Sequence, residues 1–162
     1  MEIAIASDHA GYIVKDMIAS FLADTLKLGD MVLNLGCNSS ESVDYPDYSR
    51  KVCSEIVEGK CQYGILVCGT GIGMSMAANK IWAIRAALCK DVESAIMTRK
   101  HNNANVLCLG ARNTDPNIIT DIVDAFLNTE FEGGRHEARV KKFSAYNIEM
   151  NYDFPIENKF LV

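Results

Sequence analysis

The sequence has little proline, 3 in 162 residues, and only one tryptophan. It shows no proline-rich tract, no internal repeat and no segment that reads as a linker. Positive charge is also short: 16 Lys and Arg face 21 Asp and Glu, for a net charge of −5. General nucleic-acid binding needs clustered Lys and Arg, so it is disfavoured, while a local basic pocket for one small anion is not. No apolar run approaches the roughly 18 residues of a membrane span. The opening MEIAIASDHAG carries an acid at Glu2 and no basic n-region, so it reads as a strand and not as a signal peptide. A cytoplasmic protein is expected. The six cysteines contain no CxxC and no pair at zinc-knuckle spacing. In a chain this size, most of them are expected to be reduced core residues.

What remains is ordinary globular composition, 49% hydrophobic and 23% charged, in a length that suits one domain. A single domain over 1–162 is expected. Short apolar runs at Glu2–Ser7, Met31–Leu35, Tyr63–Cys68, Ile84–Cys89 and Asn105–Gly110 have the continuous character of strands buried on both faces. Amphipathic stretches separate them: Val14–Leu28, Asp47–Gly59, Gly73–Ile81, Val92–His101 and Pro116–Asn128. A last helix is expected over Arg135–Glu149. The alternation predicts an α/β, Rossmann-like three-layer α/β/α sandwich on a five-stranded parallel sheet, of order 2-1-3-4-5. Gly29 and Gly59 stand where helices should stop, and Asp115-Pro116 should open one. The segment Asn151–Val162 carries Tyr152, Phe154 and Phe160, and is expected to pack on the body or on a partner.

Ligands of open parallel sheets bind at the carboxyl ends of the strands where the order reverses. That point is flanked by two loops, Ser7-Asp8-His9-Ala10-Gly11 and Cys68-Gly69-Thr70-Gly71-Ile72-Gly73. The second, with glycine at alternate positions and a helix behind it, should present peptide N–H groups to an anion or oxyanion. It is neither a dinucleotide fingerprint, which needs glycine at Met74, nor a Walker loop. Cys68 either ends the strand as a small residue or faces those donors as a thiolate. Asp8 either caps the first helix or, with His9, reaches a substrate. Tyr45, in Asp44-Tyr45-Pro46-Asp47, either covers a ligand or packs.

Two further clusters are polar. His101-Asn102-Asn103 precedes strand five, where a histidine can simply answer a helix dipole. It lies at the amino end of the sheet, whereas Cys68 lies at a carboxyl end. If both are catalytic, His101 must enter a neighbour's site. Arg135 and Arg139 share a helix face and Arg112 follows strand five. Three arginines converging would suit a phosphate; apart, each is a solvated charge.

Asp8-His9-Ala10-Gly11, Asp44-Tyr45-Pro46, Cys68-Gly69-Thr70-Gly71-Ile72-Gly73, Ala77-Ala78-Asn79-Lys80, His101-Asn102 and Gly133-Gly134-Arg135-His136 together resemble type B ribose-5-phosphate isomerase. That family also includes galactose-6-phosphate isomerase subunits. The resemblance runs from the start to about Lys142. It implies interconversion of ribose 5-phosphate and ribulose 5-phosphate in the non-oxidative branch of the pentose phosphate pathway. It also implies no metal, no cofactor, and a homodimer or tetramer with shared active sites. By motif match Cys68 is the base, His101 the ring-opening acid, and Thr70 a partner of the thiol or substrate. Asp8, His9, Tyr45, Gly69, Gly71, Ile72, Gly73, Asn102, Arg112, Arg135 and Arg139 match ligand-binding positions. Where some members carry a Glu base a few residues on, this chain has Met74. An isomerase of a hexose 6-phosphate and a non-catalytic sugar-phosphate sensor are the alternative readings.

Overall fold

The computed structural model describes residues 1–149, with side chains through Ser144. The expectation for Asn151–Val162 lies outside the described residues. Five strands alternate with helices: β1 (Glu2–Ser7), α1 (Tyr12–Thr25), β2 (Met31–Asn34), α2 (Tyr45–Val57), β3 (Tyr63–Cys68), α3 (Ile72–Ala78), β4 (Ala86–Leu88), α4 (Val92–Asn102), β5 (Val106–Gly110), α5 (Ile119–Asn128) and α6 (Arg135–Glu149). A 3-10 turn at Pro116–Ile118 precedes α5, so the expected helix over Pro116–Asn128 has two parts.

Every strand pair is parallel, and the order is β2-β1-β3-β5-β4. The expected order 2-1-3-4-5 is therefore corrected at its far end, where β5 lies inside and β4 takes the edge. Burial explains the exchange. All five residues of β5 are buried, whereas β4 has three residues, each half-exposed. The longer, wholly apolar strand gains more by being covered on both faces. The edge strand β2 is likewise only partly buried, so continuous burial holds for β1, β3 and β5 alone.

The sheet separates two apolar layers. On one face Ile3, Ile5, Ile65, Leu107 and Leu109 pack against Ile18 and Leu22 of α1 and Phe126 of α5. On the other, Ala4, Ala6, Leu66 and Cys108 meet Val52 and Cys53 of α2 and Met74 of α3. All six cysteines are buried and unpaired. Among the described residues no helix is long and apolar enough to cross a membrane.

Candidate active site

The order reverses between β1 and β3, as expected, and two loops meet there. Gly11 lets them approach: a β-carbon on it would stand 2.7 Å from the Val67 carbonyl oxygen. Asp8 is buried, and its Oδ1 accepts the N–H groups of Ala10 and Gly11 at 2.9 and 3.1 Å. It thus closes the β1–α1 turn. It does not cap α1, whose N-cap is Gly11 with no side-chain cap bond. His9 Nδ1 accepts the Val43 N–H at 3.2 Å. That bond leaves Nε2 as the ring's donor in the neutral form.

Cys68 ends β3, buried, and its Sγ accepts the Gly71 N–H at 3.1 Å. Gly71 can make that bond because its φ is +75°, a left-handed conformation open to glycine. Negative charge on the sulfur would be met directly by this donor and by the start of α3. Burial pushes the Cys53 and Cys89 thiols up to about 11 and raises that of Cys108 as well, so these stay protonated at neutral pH. Thr70 is exposed, and its Oγ1 accepts the Ile72 N–H at 3.4 Å; no bond from it to Cys68 is present. Ile72 is half-exposed at the first turn of α3. Tyr45 opens α2, two residues earlier than expected, with Asp44 as its N-cap. Its ring covers Gly73, where a β-carbon would stand 2.9 Å from Cζ.

Arg112 joins this group because β5 adjoins β3. Its N–H donates to the Gly69 carbonyl at 2.9 Å, as Ala111 does to the Cys68 carbonyl at 2.8 Å. A β-carbon on Gly69 would sit 3.3 Å from Arg112 Nη1, so the guanidinium lies across the loop. With the expected order, β4 would have separated the two.

His101 and Asn102 end α4, which runs back to the amino edge of the sheet. Arg99, two residues earlier, ties that end down. It donates to the carbonyls of Ala104 and Thr129 at 2.6 and 3.2 Å and to the Tyr63 hydroxyl at 3.0 Å. His101 stacks on His136 of α6, with ring centroids 4.2 Å apart and planes 6° from parallel. Glu132 Oε2 lies 4.0 Å from His101 Nε2 and 3.7 Å from His136 Nε2. Arg135 Nε donates to His136 Nε2 at 3.3 Å, and Arg139 follows one turn later. Burial first, then the nearby His101 and Arg135, hold the His136 imidazole below the ordinary histidine range.

The two polar groups are therefore separate within one chain. Cys68 pairs with Gly110 at the carboxyl end of β5, and Gly64 with Val106 at its amino end. Four strand steps, about 13 Å, lie between those ends. The structure brings together Asp8, His9, Tyr45, Cys68, residues 69–73 and Arg112, and separately His101, Asn102, Arg135 and Arg139. Within one chain Arg112, after β5 at its carboxyl end, stands apart from Arg135 and Arg139 on α6.

Sequence reasoning gave no role to Glu132 or to the His136 ring. Neither has a local spacing to His101, since the loop and turn that juxtapose them are tertiary. The ligand atoms of His101, Glu132 and His136 lie within 4.8 Å of one another, a donor set that could hold a divalent cation. The Arg135 guanidinium against the same His136 nitrogen opposes that use.

An α/β sheet with a cysteine and a glycine loop at its switch point, and a histidine–arginine group at its other edge, defines an enzyme built for small anionic substrates. Residues 3–143 match the Ribose/Galactose Isomerase family, and the chain belongs to it. It is an isomerase. A Rickettsia conorii relative, 49% identical over 141 residues, is named no more specifically than a sugar phosphate isomerase; the match covers 86% of this chain and 95% of that one. The solved ribose-5-phosphate isomerase B of Clostridium thermocellum is 47% identical, with a TM-score of 0.87 over 91% of this chain and 98% of that one. That of Mycoplasma genitalium, with bound ribulose-5-phosphate, is 41% identical, with a TM-score of 0.86 over 91% and 97%.

Proposed function

We propose that the protein interconverts D-ribose 5-phosphate and D-ribulose 5-phosphate through a cis-enediolate, in an active site formed between two copies of the chain. The observation that carries this reading is the Cys68 sulfur held 3.1 Å from the Gly71 nitrogen at the mouth of the β1–β3 switch point. The relative solved with ribulose-5-phosphate supports the substrate. Six unpaired cysteines suit a reducing, cytoplasmic setting.

The chemistry follows from the substrate. The hydrogen on C2 is acidic only beside a carbonyl, so the furanose must open first. His101 of one copy donates a proton to the ring oxygen as its bond to C1 breaks, and the C1 hydroxyl gives its proton to solvent, leaving the C1 aldehyde. Cys68 of the other, as thiolate, takes the C2 proton, and the electron pair moves through C1 to its oxygen. The cis-enediolate so formed is stabilised by loop N–H donors, Gly71 and Gly73 foremost. Removing one such donor typically costs about 3 kcal/mol of transition-state stabilisation. Transfer of the C2-hydroxyl proton to O1, with return of the abstracted proton from Cys68 to C1, gives the ketose. Arg135 and Arg139 of the first copy, with Arg112 and His9 of the second, hold the phosphate and so place the reacting carbons over the sulfur. The carbonyl is the electron sink, so the step needs no further group.

Separation of the two polar groups by the length of β5 is what favours a shared site. A variant Cys68→Ala and a variant His101→Ala should each be inactive alone. Mixed under conditions where subunits exchange, they should regain up to about a quarter of wild-type activity, because random pairing restores one intact site in half the dimers. No recovery despite demonstrated exchange would overturn the shared site. A six-carbon sugar phosphate would use the same chemistry in a longer pocket. The family description, which names galactose beside ribose, keeps that second reading open to assay.

A further inference from the structure

Lys15 is among the largest of the fully buried side chains, although it carries a formal charge and belongs to no catalytic group described above. It lies on the apolar stripe of α1 with Ile18 and Leu22. Burying an ammonium is costly unless each of its donors is matched. Here all three are. Nζ donates to Asn38 Oδ1 at 2.8 Å, Asn34 Oδ1 at 3.1 Å and Asp16 Oδ1 at 2.9 Å.

Of those acceptors, Asn34 ends β2 and Asn38 lies in the β2–α2 loop that follows, residues 35–44. The same stretch is stitched to the end of β1: the Ser7 N–H donates to Gly36 O at 2.7 Å, and the Cys37 N–H to Ser7 O at 2.9 Å. Asn34 Oδ1 also accepts the Gly36 N–H at 3.1 Å. At its far end the loop supplies the Val43 N–H to His9 Nδ1 and leads into Tyr45 over Gly73. Between Asn38 and Val43 the other ties, among the described residues, are the Cys37 thiol donating to the Ser39 carbonyl at 3.0 Å and an exposed Glu41 N–H to Ser39 Oγ bond of 3.4 Å.

We infer that Lys15 is a positioning residue for the substrate site: its buried ammonium fixes the start of the β2–α2 loop so that the loop's end orients His9 and delivers Tyr45. The inference rests on the proposed reading of His9 and Tyr45 as substrate contacts. Lys15 touches no substrate itself and acts through Asn34 and Asn38. An apolar residue of equal length would fill the same space and leave the loop without its anchor.

The test uses the full chain with Lys15→Met and, because a core change can impair folding, the exposed-loop variants Asn38→Leu and Asn38→Asp. Aspartate keeps the acceptor and leucine removes it. For ribose 5-phosphate, Lys15→Met and Asn38→Leu should raise KM by about tenfold while kcat changes by less than about threefold, and Asn38→Asp should stay within about twofold of wild type. An independent readout is the side-chain nitrogen NMR of His9, which should lose the signature of a hydrogen-bonded Nδ1 in the first two variants only. A folded Lys15→Met or Asn38→Leu protein with unchanged KM and an unmoved His9 signal would overturn the inference. If wild type fails to isomerise the sugar, the proposed function falls, while the His9 signal still decides whether Lys15 sets the loop.

Discussion

Replacing Gly71 by alanine perturbs the site through its backbone. At φ +75°, a β-carbon would stand 2.5 Å from Leu88 Cδ1, 2.9 Å from the Leu109 carbonyl carbon and 3.1 Å from the Gly110 nitrogen. The leucine tip can swing away. The β5 backbone cannot, because Leu109 and Gly110 are paired to Val67 and Cys68. A left-handed conformation costs a non-glycine residue about 1–2 kcal/mol. Forcing a methyl group into filled space costs about 1–3 kcal/mol more. The sum is a loss of about 2–5 kcal/mol, and at about 2–4 °C per kcal/mol Tm falls by roughly 4–20 °C. Strain is relieved only by moving the loop, which draws the Gly71 N–H away from the Cys68 sulfur. Calorimetry should therefore show the lowered midpoint. Turnover measured well below it should fall by about a hundredfold or more, the usual consequence of losing an oxyanion-type donor. Wild-type Tm would refute the steric reasoning. A lowered Tm with wild-type kcat would refute the claim that this N–H serves the sulfur.

Arg99→Leu should destabilise the protein by roughly 2–5 kcal/mol, because the Ala104 and Thr129 carbonyls lose their buried donor. Urea unfolding checks this, and a change within about 0.5 kcal/mol would contradict the bonding described. His136 should titrate below the ordinary 6.5, since burial and its cationic neighbours disfavour the charged ring. Its contribution to stability is then complete above pH 6.5 and is lost as pH falls through the lowered folded value. Side-chain NMR titration reads it directly, and an inflection at or above 6.5 would reverse the sign.

Strand and helix positions were legible in the sequence because the apolar periodicity is clean. Glu2–Ser7 and Tyr63–Cys68 agree to the residue, and α6 starts at Arg135 as expected. The order of β4 and β5 was not. Both runs are short and apolar, and only the finished sheet reveals which gains from being covered on two faces. Asp8, His9, Cys68 and the glycine loop could be read as one group because a switch point follows from alternation alone. Arg112 joins them only through the β3–β5 adjacency, which the expected order denied. Glu132 and the His101–His136 stack depend on how α4 meets α6, and no local spacing encodes that. Lys15 did leave a trace, a charge on the same stripe as Ile18 and Leu22. The pattern alone does not say what its ammonium would hold.

In the proposed reaction the Cys68 sulfur moves a proton between two carbons of a sugar phosphate. Isomerisation of ribose 5-phosphate, with allose 6-phosphate alongside, by wild type and by Cys68→Ala tests it most directly. Wild type should turn over the pentose and the variant should not, while the variant still binds the sugar phosphate. Near-normal turnover by Cys68→Ala, or no turnover of either sugar by wild type, would contradict it.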